Sequence, residues 1–283
     1  MSRRLFMTII LIVLTVLPAA AGELVLPVFA LNLEGRHGDL WSSELYLTNP
    51  GDQPVLVELT RFLRGDIEKS NPCDLFMTPT RVVPPQSATV WTATGLATDL
   101  GCADSARGGL VLRADGPLHV TSRLVNTAGS DDGSSGAVLS GRGEAFDAIA
   151  IDRLPAAGAH LLPALMWHRN PCDGPPEFET VVGFANPGAT AVEVILDVPH
   201  EFGRTVIIDG HEAYLPLRFE VAAGSWQQLR LAPPRDQAAE CGGVESFLVR
   251  IDLSGPMAVY ASVIDRKSGD PRTVTPVPLA SSP

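Results

Sequence analysis

The feature that most limits what this chain can fold into is that it repeats itself. Leu24-Val-Leu-Pro27-Val-Phe-Ala30 returns as His160-Leu-Leu-Pro163-Ala-Leu-Met166. Thr48-Asn49-Pro50-Gly51 returns as Ala185-Asn186-Pro187-Gly188, and Gly116-Pro117-Leu-His-Val120 as Gly255-Pro256-Met-Ala-Val259. The offsets run 136, 137 and 139 in chain order, and Cys102 and Cys241 also differ by 139. An ordered set of matches across a whole half is the signature of a duplicated structural unit.

The repeat carries an alternation. Val55, Val57 and Leu59 follow the first Asn-Pro-Gly, and Val192, Val194 and Leu196 follow the second, with Glu58, Thr60, Glu193 and Asp197 among the residues between. Before the turns, Leu45 and Leu47 correspond to Val182 and Phe184. Period-two placement puts these side chains on one face of a strand, whereas a helix needs apolar residues three and four apart. In Asn-Pro-Gly, proline holds the preceding residue extended, and glycine is expected to take the positive φ that a type II turn asks for next. Further extended segments are expected at Arg81–Val83, Ala88–Ala93, Leu110–Leu112 and Leu118–Asn126. The second half offers Leu217–Val221, Gln227–Leu231, Phe247–Ile251 and Met257–Ile264. With 26 Gly and 24 Pro in 283 residues, short strands and frequent turns indicate an all-β protein: two tandem antiparallel β-sandwiches of about seven strands each. The expected boundaries are residues 22–151 for the first unit, a short joint at 152–159, and 160–283 for the second.

Residues 1–21 read as a signal peptide. Arg3 and Arg4 precede the apolar run Leu5–Leu17, and Ala19-Ala20-Ala21 offers a cleavage site before Gly22. The run is short for a bilayer span, so no stable membrane insertion is expected after cleavage. Removal takes two arginines and no acids, so the net charge of −11 becomes −13. An acidic chain without a basic cluster argues against nucleic acid as a partner. The four cysteines, Cys73, Cys102, Cys172 and Cys241, suggest disulfides in an exported chain, with three connectivities open. Their spacing favours Cys73–Cys102 and Cys172–Cys241. The close C-x-x-C spacing of zinc sites is absent, and His168 and Cys172 lack further ligands nearby in sequence.

At this point the chain resembles bacterial exported Ig-like repeat modules. The likeness lies in Phe184-Ala-Asn-Pro-Gly188, Val221-Ala-Ala-Gly-Ser-Trp226 and Tyr260-Ala-Ser-Val-Ile-Asp265-Arg-Lys-Ser-Gly269-Asp270-Pro271. The first half is similar through Trp41-Ser-Ser-Glu-Leu-Tyr-Leu-Thr-Asn-Pro-Gly51 and Thr121-Ser-Arg123, and departs where Asp131-Asp132-Gly-Ser-Ser-Gly136 replaces Ser-Gly-Asp-Pro. The resemblance implies tandem Ig-like sandwiches and carries no catalytic residues.

Nucleophile-elbow, H-E-x-x-H, Walker and dinucleotide-glycine patterns are absent. The histidines, His37, His119, His160, His168, His200 and His211, are scattered. Arg64-Gly65-Asp66 reads as a solvated turn rather than a recognition tripeptide. Ser130-Asp131-Asp132-Gly133 lacks the order of a calcium loop, and Asp265 and Asp270 suit a hairpin turn. Trp41, Trp91, Trp167 and Trp226 are too dispersed for a sugar platform, and core packing is the simpler role for Trp41 and Trp167. These features point to a secreted, periplasmic or envelope protein, non-enzymatic, without cofactor or metal. It would be a binding or structural protein of scaffold or adhesion type, with an extracytoplasmic protein or polysaccharide as partner. Two alternatives stay open. A hydrolase with an unrecognised site between the modules predicts ionisable groups converging in one pocket. A carbohydrate-binding module predicts a row of exposed aromatics.

Overall fold

The computed structural model describes residues 22–34, 40–65, 78–102, 105–126, 143–168, 178–199, 205–233, 244–265 and 271–279. The first half contains β1 (Gly22–Leu31), β2 (Leu33–Glu34), β3 (Leu40–Asn49), β4 (Val55–Gly65), β5 (Thr80–Val83) and β6 (Ser87–Trp91). Helix α1 (Ala93–Leu100) follows, then β7 (Ala106–Ala114), β8 (His119–Asn126), β9 (Gly143–Asp147) and β10 (Ile149–Ala150). A 3-10 turn at Ile151–Arg153 leads into the second half, which opens with β11 (Gly158–His168), β12 (Phe178–Ala185) and β13 (Val192–Asp197). It continues with β14 (Thr205–Ile208), β15 (His211–Tyr214), β16 (Leu217–Val221), β17 (Ser225–Ala232), β18 (Val244–Leu253), β19 (Ala258–Asp265), β20 (Pro271–Val274) and β21 (Val277–Pro278). The all-β class therefore holds. Strand β11 starts at Gly158, inside the segment expected to be a joint.

The duplication extends to strand order. In the first half the strands run β10-β1-β7-β4-β5 in one layer and β9-β8-β3-β6 in the other. The second half repeats this as β21-β11-β18-β13-β16 and β20-β19-β12-β17. The alternation is realised as expected: Val55, Val57, Leu59, Val192, Val194 and Leu196 are all buried. Burying each such side chain contributes on the order of 1.5–3 kcal/mol, so a register slip that turned the row outward is excluded by energy. The apolar interior falls into two clusters, one around Leu26, Leu45, Leu59, Trp91 and Leu110 and the other around Leu162, Val182, Phe184, Val194 and Val249.

Two repeated motifs act through specific backbone contacts. Pro27 and Pro163 each sit in a β-bulge, where pairing to β7 or β18 shifts register between Leu26 and Phe29 and between Leu162 and Leu165. Proline has no N–H for the ladder, so the bulge is where a strand can accept it. The Asn of each Asn-Pro-Gly is fully buried. Asn49 Nδ2 donates toward the carbonyls of Gln53, Val83 and Pro84 at 2.7, 3.1 and 3.1 Å, and Oδ1 accepts from the Gly51 N–H at 2.8 Å. Asn186 Nδ2 donates toward Thr190, Val221 and Ala222 at 2.9, 3.0 and 3.0 Å, with the Gly188 N–H at 2.9 Å. Each Asn thus ties the turn that follows it to a second turn, β5–β6 in the first half and β16–β17 in the second.

The extended segment expected at Ala88–Ala93 ends at Trp91, and a helix begins at Ala93. Thr92 caps it by accepting from the Gly95 N–H, and Gly101 closes it in the left-handed region at φ 62°. Leu96 and Leu100, four apart, bury the inner face. This cap sets the position of Cys102, which is disulfide-bonded. Cys73, Cys172 and Cys241 lie outside the described residues, as do His37, His200 and Ser130-Asp131-Asp132-Gly133. Among the described residues no helix is long and apolar enough to cross a membrane.

Candidate functional site

Layers that are not equivalents of each other join the two halves. The β1-β7-β4 layer of the first continues into the β17-β12-β19-β20 layer of the second, making one sheet of eleven strands. The link is a short parallel pairing of β4 with β17, Arg64 opposite Ser225 and Gly65 opposite Trp226. Arg64 and Gly65 are therefore the end of a strand at the junction, correcting the reading of that tripeptide as a solvated turn; Asp66 lies outside the described residues.

Trp226 is buried within the first half's apolar cluster, together with Ala185, Ala258 and Tyr260 from the second half. Its Nε1–H donates to the Pro27 carbonyl at 2.8 Å, across 199 residues of sequence. Pro27 lies where the bulge takes β1 out of register with β7, so the repeated Leu-Pro motif places an acceptor at the junction. Arg61 donates to the Pro187 carbonyl at 2.7 Å, reaching the second half's Asn-Pro-Gly turn. The Tyr260 ring crosses Gly183, where a Cβ would fall 1.9 Å from the ring, and meets Phe146 edge-on at 5.4 Å. Only glycine leaves room for that crossing.

Glu144, on β9, is 5% exposed. Ser262 Oγ donates to its Oε2 at 2.7 Å, and Thr273 Oγ1 lies 2.7 Å from Oε1. Thr273 Oγ1 is also 3.0 Å from the Ala145 carbonyl. Burial pushes the Glu144 carboxyl up from 4.5 to about 7, against the hydrogen bonds from Thr273 and Ser262, which favour the ionised form. Burial, and next Glu144, also push the Tyr260 phenol above its ordinary range. The perturbed acids are thus enclosed by packed side chains.

Among the described residues, an open concavity lies elsewhere. A cleft of about 330 Å³ lies at the outer end of the large sheet, beside β10. Its floor is Leu24, Leu118, Val120, Ile149 and Ala150, and its rim carries His119, Thr121, Asp147 and Arg153. Thr121 Oγ1 donates to Asp147 Oδ1 at 2.7 Å, which fixes that carboxylate on the rim. The cleft exists because β9 leaves one layer at Asp147 and β10 joins the other two residues later. Its size is at the low end for a small-molecule site, and its composition, an apolar floor with a few polar groups, suits recognition.

Among the described residues, the others singled out from sequence do not converge. His160 is buried, with Nε2 2.9 Å from the Ala156 carbonyl, and His211 is exposed on β15. His168 ends β11, and Asp265 ends β19, with Asp270 outside the described residues. Trp167 is buried and stacks on Phe247 at 4.0 Å, a core role as expected, while Trp41 on β3 is half-buried. Trp91 is buried, donates from Nε1 to Asp99 at 2.8 Å and carries Arg81 over its ring at 4.7 Å. Among the described residues no group of three His, Cys, Asp or Glu is placed to hold a metal ion. Sequence reasoning missed Glu144 and Arg153, since neither carries a motif, and it gave Trp226 no role at the junction. Comparison with family models, with curated proteins and with solved structures returns no match.

Proposed function

We propose that this is an exported, non-enzymatic binding or scaffold protein, two Ig-like modules fused into one stiff unit that presents a recognition surface outside the cytoplasm. The observation that carries this reading is the shared sheet. A short joint alone would leave the halves free to swing, since inter-domain contacts are by default mobile. Here β4 pairs with β17, and Trp226 and Tyr260 fill the first half's core. Such a unit holds whatever it displays at a fixed distance and angle. Disulfides Cys73–Cys102 and Cys172–Cys241, one inside each module, fit an oxidising compartment.

The recognition surface in this reading is the cleft at β10, where the large sheet ends. A sheet margin beside an apolar floor accepts an extended partner segment, and the polar rim selects it. The test is to screen the chain from Gly22 onward against peptide and envelope-glycan arrays, then repeat each hit with Arg153→Ala and Leu24→Asp. Binding that weakens at least tenfold in both variants supports the assignment. Binding indifferent to both, or turnover of an arrayed compound, refutes it.

A further inference from the structure

We propose that the junction between the halves is a pH-operated latch, closed when Glu144 is protonated and loosened when it is ionised. The geometry supplies the switch. The Thr273 hydroxyl has one proton and two acceptors within reach, Glu144 Oε1 at 2.7 Å and the Ala145 carbonyl at 3.0 Å. When Glu144 is ionised it accepts from both Ser262 and Thr273, and the Ala145 carbonyl on the margin of β9 loses that donor. When Glu144 takes up a proton it becomes a donor, with the Ser262 or Thr273 oxygen as acceptor. The Thr273 proton then turns to the Ala145 carbonyl, tying β20 to the open margin of β9. Ionisation therefore holds a charge in an apolar enclosure, a cost that the hydrogen bonds from Thr273 and Ser262 offset only in part, and it draws the Thr273 proton away from the Ala145 carbonyl.

Among the described residues, the neighbouring charges leave Glu144 to govern this region. On β8, Arg123 is opposite Ala145 and so lies on the other face of the sheet from Glu144, which is opposite Leu124. On β20, Arg272 donates to the Ala164 carbonyl. On β1, Glu23 faces Arg61 at 4.0 Å. On β19, Asp265 is at the far end, opposite Phe178, and Tyr260 stays neutral with its phenol held above its ordinary range. Arg107 on β7 acts on Tyr260.

The sign follows from the carboxyl being held above its unfolded value. Its contribution to stability is fully present below about pH 4.5 and is lost as pH rises through about 7. Each pH unit in that window is worth up to about tenfold in the opening equilibrium, so the whole effect is on the order of 100-fold.

The test uses amide hydrogen exchange on the full chain between pH 5 and pH 8, corrected for the intrinsic rate and read on peptides covering 143–147 and 271–274. Protection in these peptides is expected to fall by about 10–100-fold with rising pH. In Glu144→Gln that dependence disappears. Thr273→Val removes a donor to the ionised form, so its midpoint moves to higher pH, and this variant decides the matter if Glu144→Gln fails to fold. Protection that stays flat in the wild type, a slope unchanged in Glu144→Gln, or a midpoint unmoved in Thr273→Val overturns the proposal.

Discussion

Replacing the two repeated asparagines offers a direct probe of the duplicated architecture. In each, the amide nitrogen faces three carbonyls and the amide oxygen faces a glycine N–H, all within 3.1 Å. The nitrogen has two protons, so one is shared, and three protons in all are engaged at each site. At about 1 kcal/mol net for each hydrogen bond, less what water regains at the half-buried turn, Asn→Ala should cost about 2–3 kcal/mol. Asn49→Ala and Asn186→Ala should cost nearly the same, because partners and distances match to within a few tenths of an ångström. Asn→Asp at either site should be worse than Ala, since it turns the donor into a third-party acceptor pointed at three carbonyls and buries a charge among them. Chemical denaturation followed by far-UV circular dichroism measures these costs, and thermal melts should fall by about 5–15 °C for Asn→Ala. An Asn→Asp variant at least as stable as its Asn→Ala counterpart would refute the donor assignment. A cost confined to one of the two sites would refute the claim that both copies use the same tie.

Other expectations are more local. Gly183→Ala places a methyl 1.9–2.2 Å from atoms of the Tyr260 ring, so the ring must leave Phe146. A loss of about 3 kcal/mol or more is expected, with a changed near-UV aromatic signal, and a neutral result would show that the ring does not cross this glycine. For the cysteines, non-reducing peptide mapping of secreted protein should recover Cys102 linked to Cys73. Reduction should lower stability by about 2–4 kcal/mol, and a Cys102 linked to either cysteine of the second half would reject the pairing.

The alternative of a hydrolase between the modules looked for converging ionisable groups in an open groove. Glu144 and Tyr260 do meet at the junction, with shifts to match, but inside a packed interior. The cleft that is open carries His119, Asp147 and Arg153 around an apolar floor. Among the described residues, the perturbed groups and this cleft are thus in different places.

How far the sequence could be read varies by residue. Val55, Val57, Leu59 and their partners were legible because a strand's faces follow from period two alone. The Asn-Pro-Gly corners were legible too, but Gly51 and Gly188 do not take the positive φ expected of them, and the buried tie made by the asparagine side chain was not legible. Its acceptors lie as far as 35 and 36 residues away. Helix α1 was missed, because nothing was assigned between the extended segment ending at Ala93 and the next one at Leu110, yet Thr92, Gly101 and the four-residue spacing of Leu96 and Leu100 were its local signals. Glu144 left no such trace, because its partners Ser262 and Thr273 are 118 and 129 residues distant.

By itself, then, the sequence determined the pleat, the buried face of each strand, the turns and the twofold repetition, since each depends on residues a few positions apart. Tertiary structure alone decided that unlike layers of the two copies meet, that Trp226 finds the Pro27 carbonyl, and that Glu144 is shut away from water. Those outcomes depend on which surfaces remain uncovered once each copy has folded, and local periodicity encodes a face without encoding what it will face.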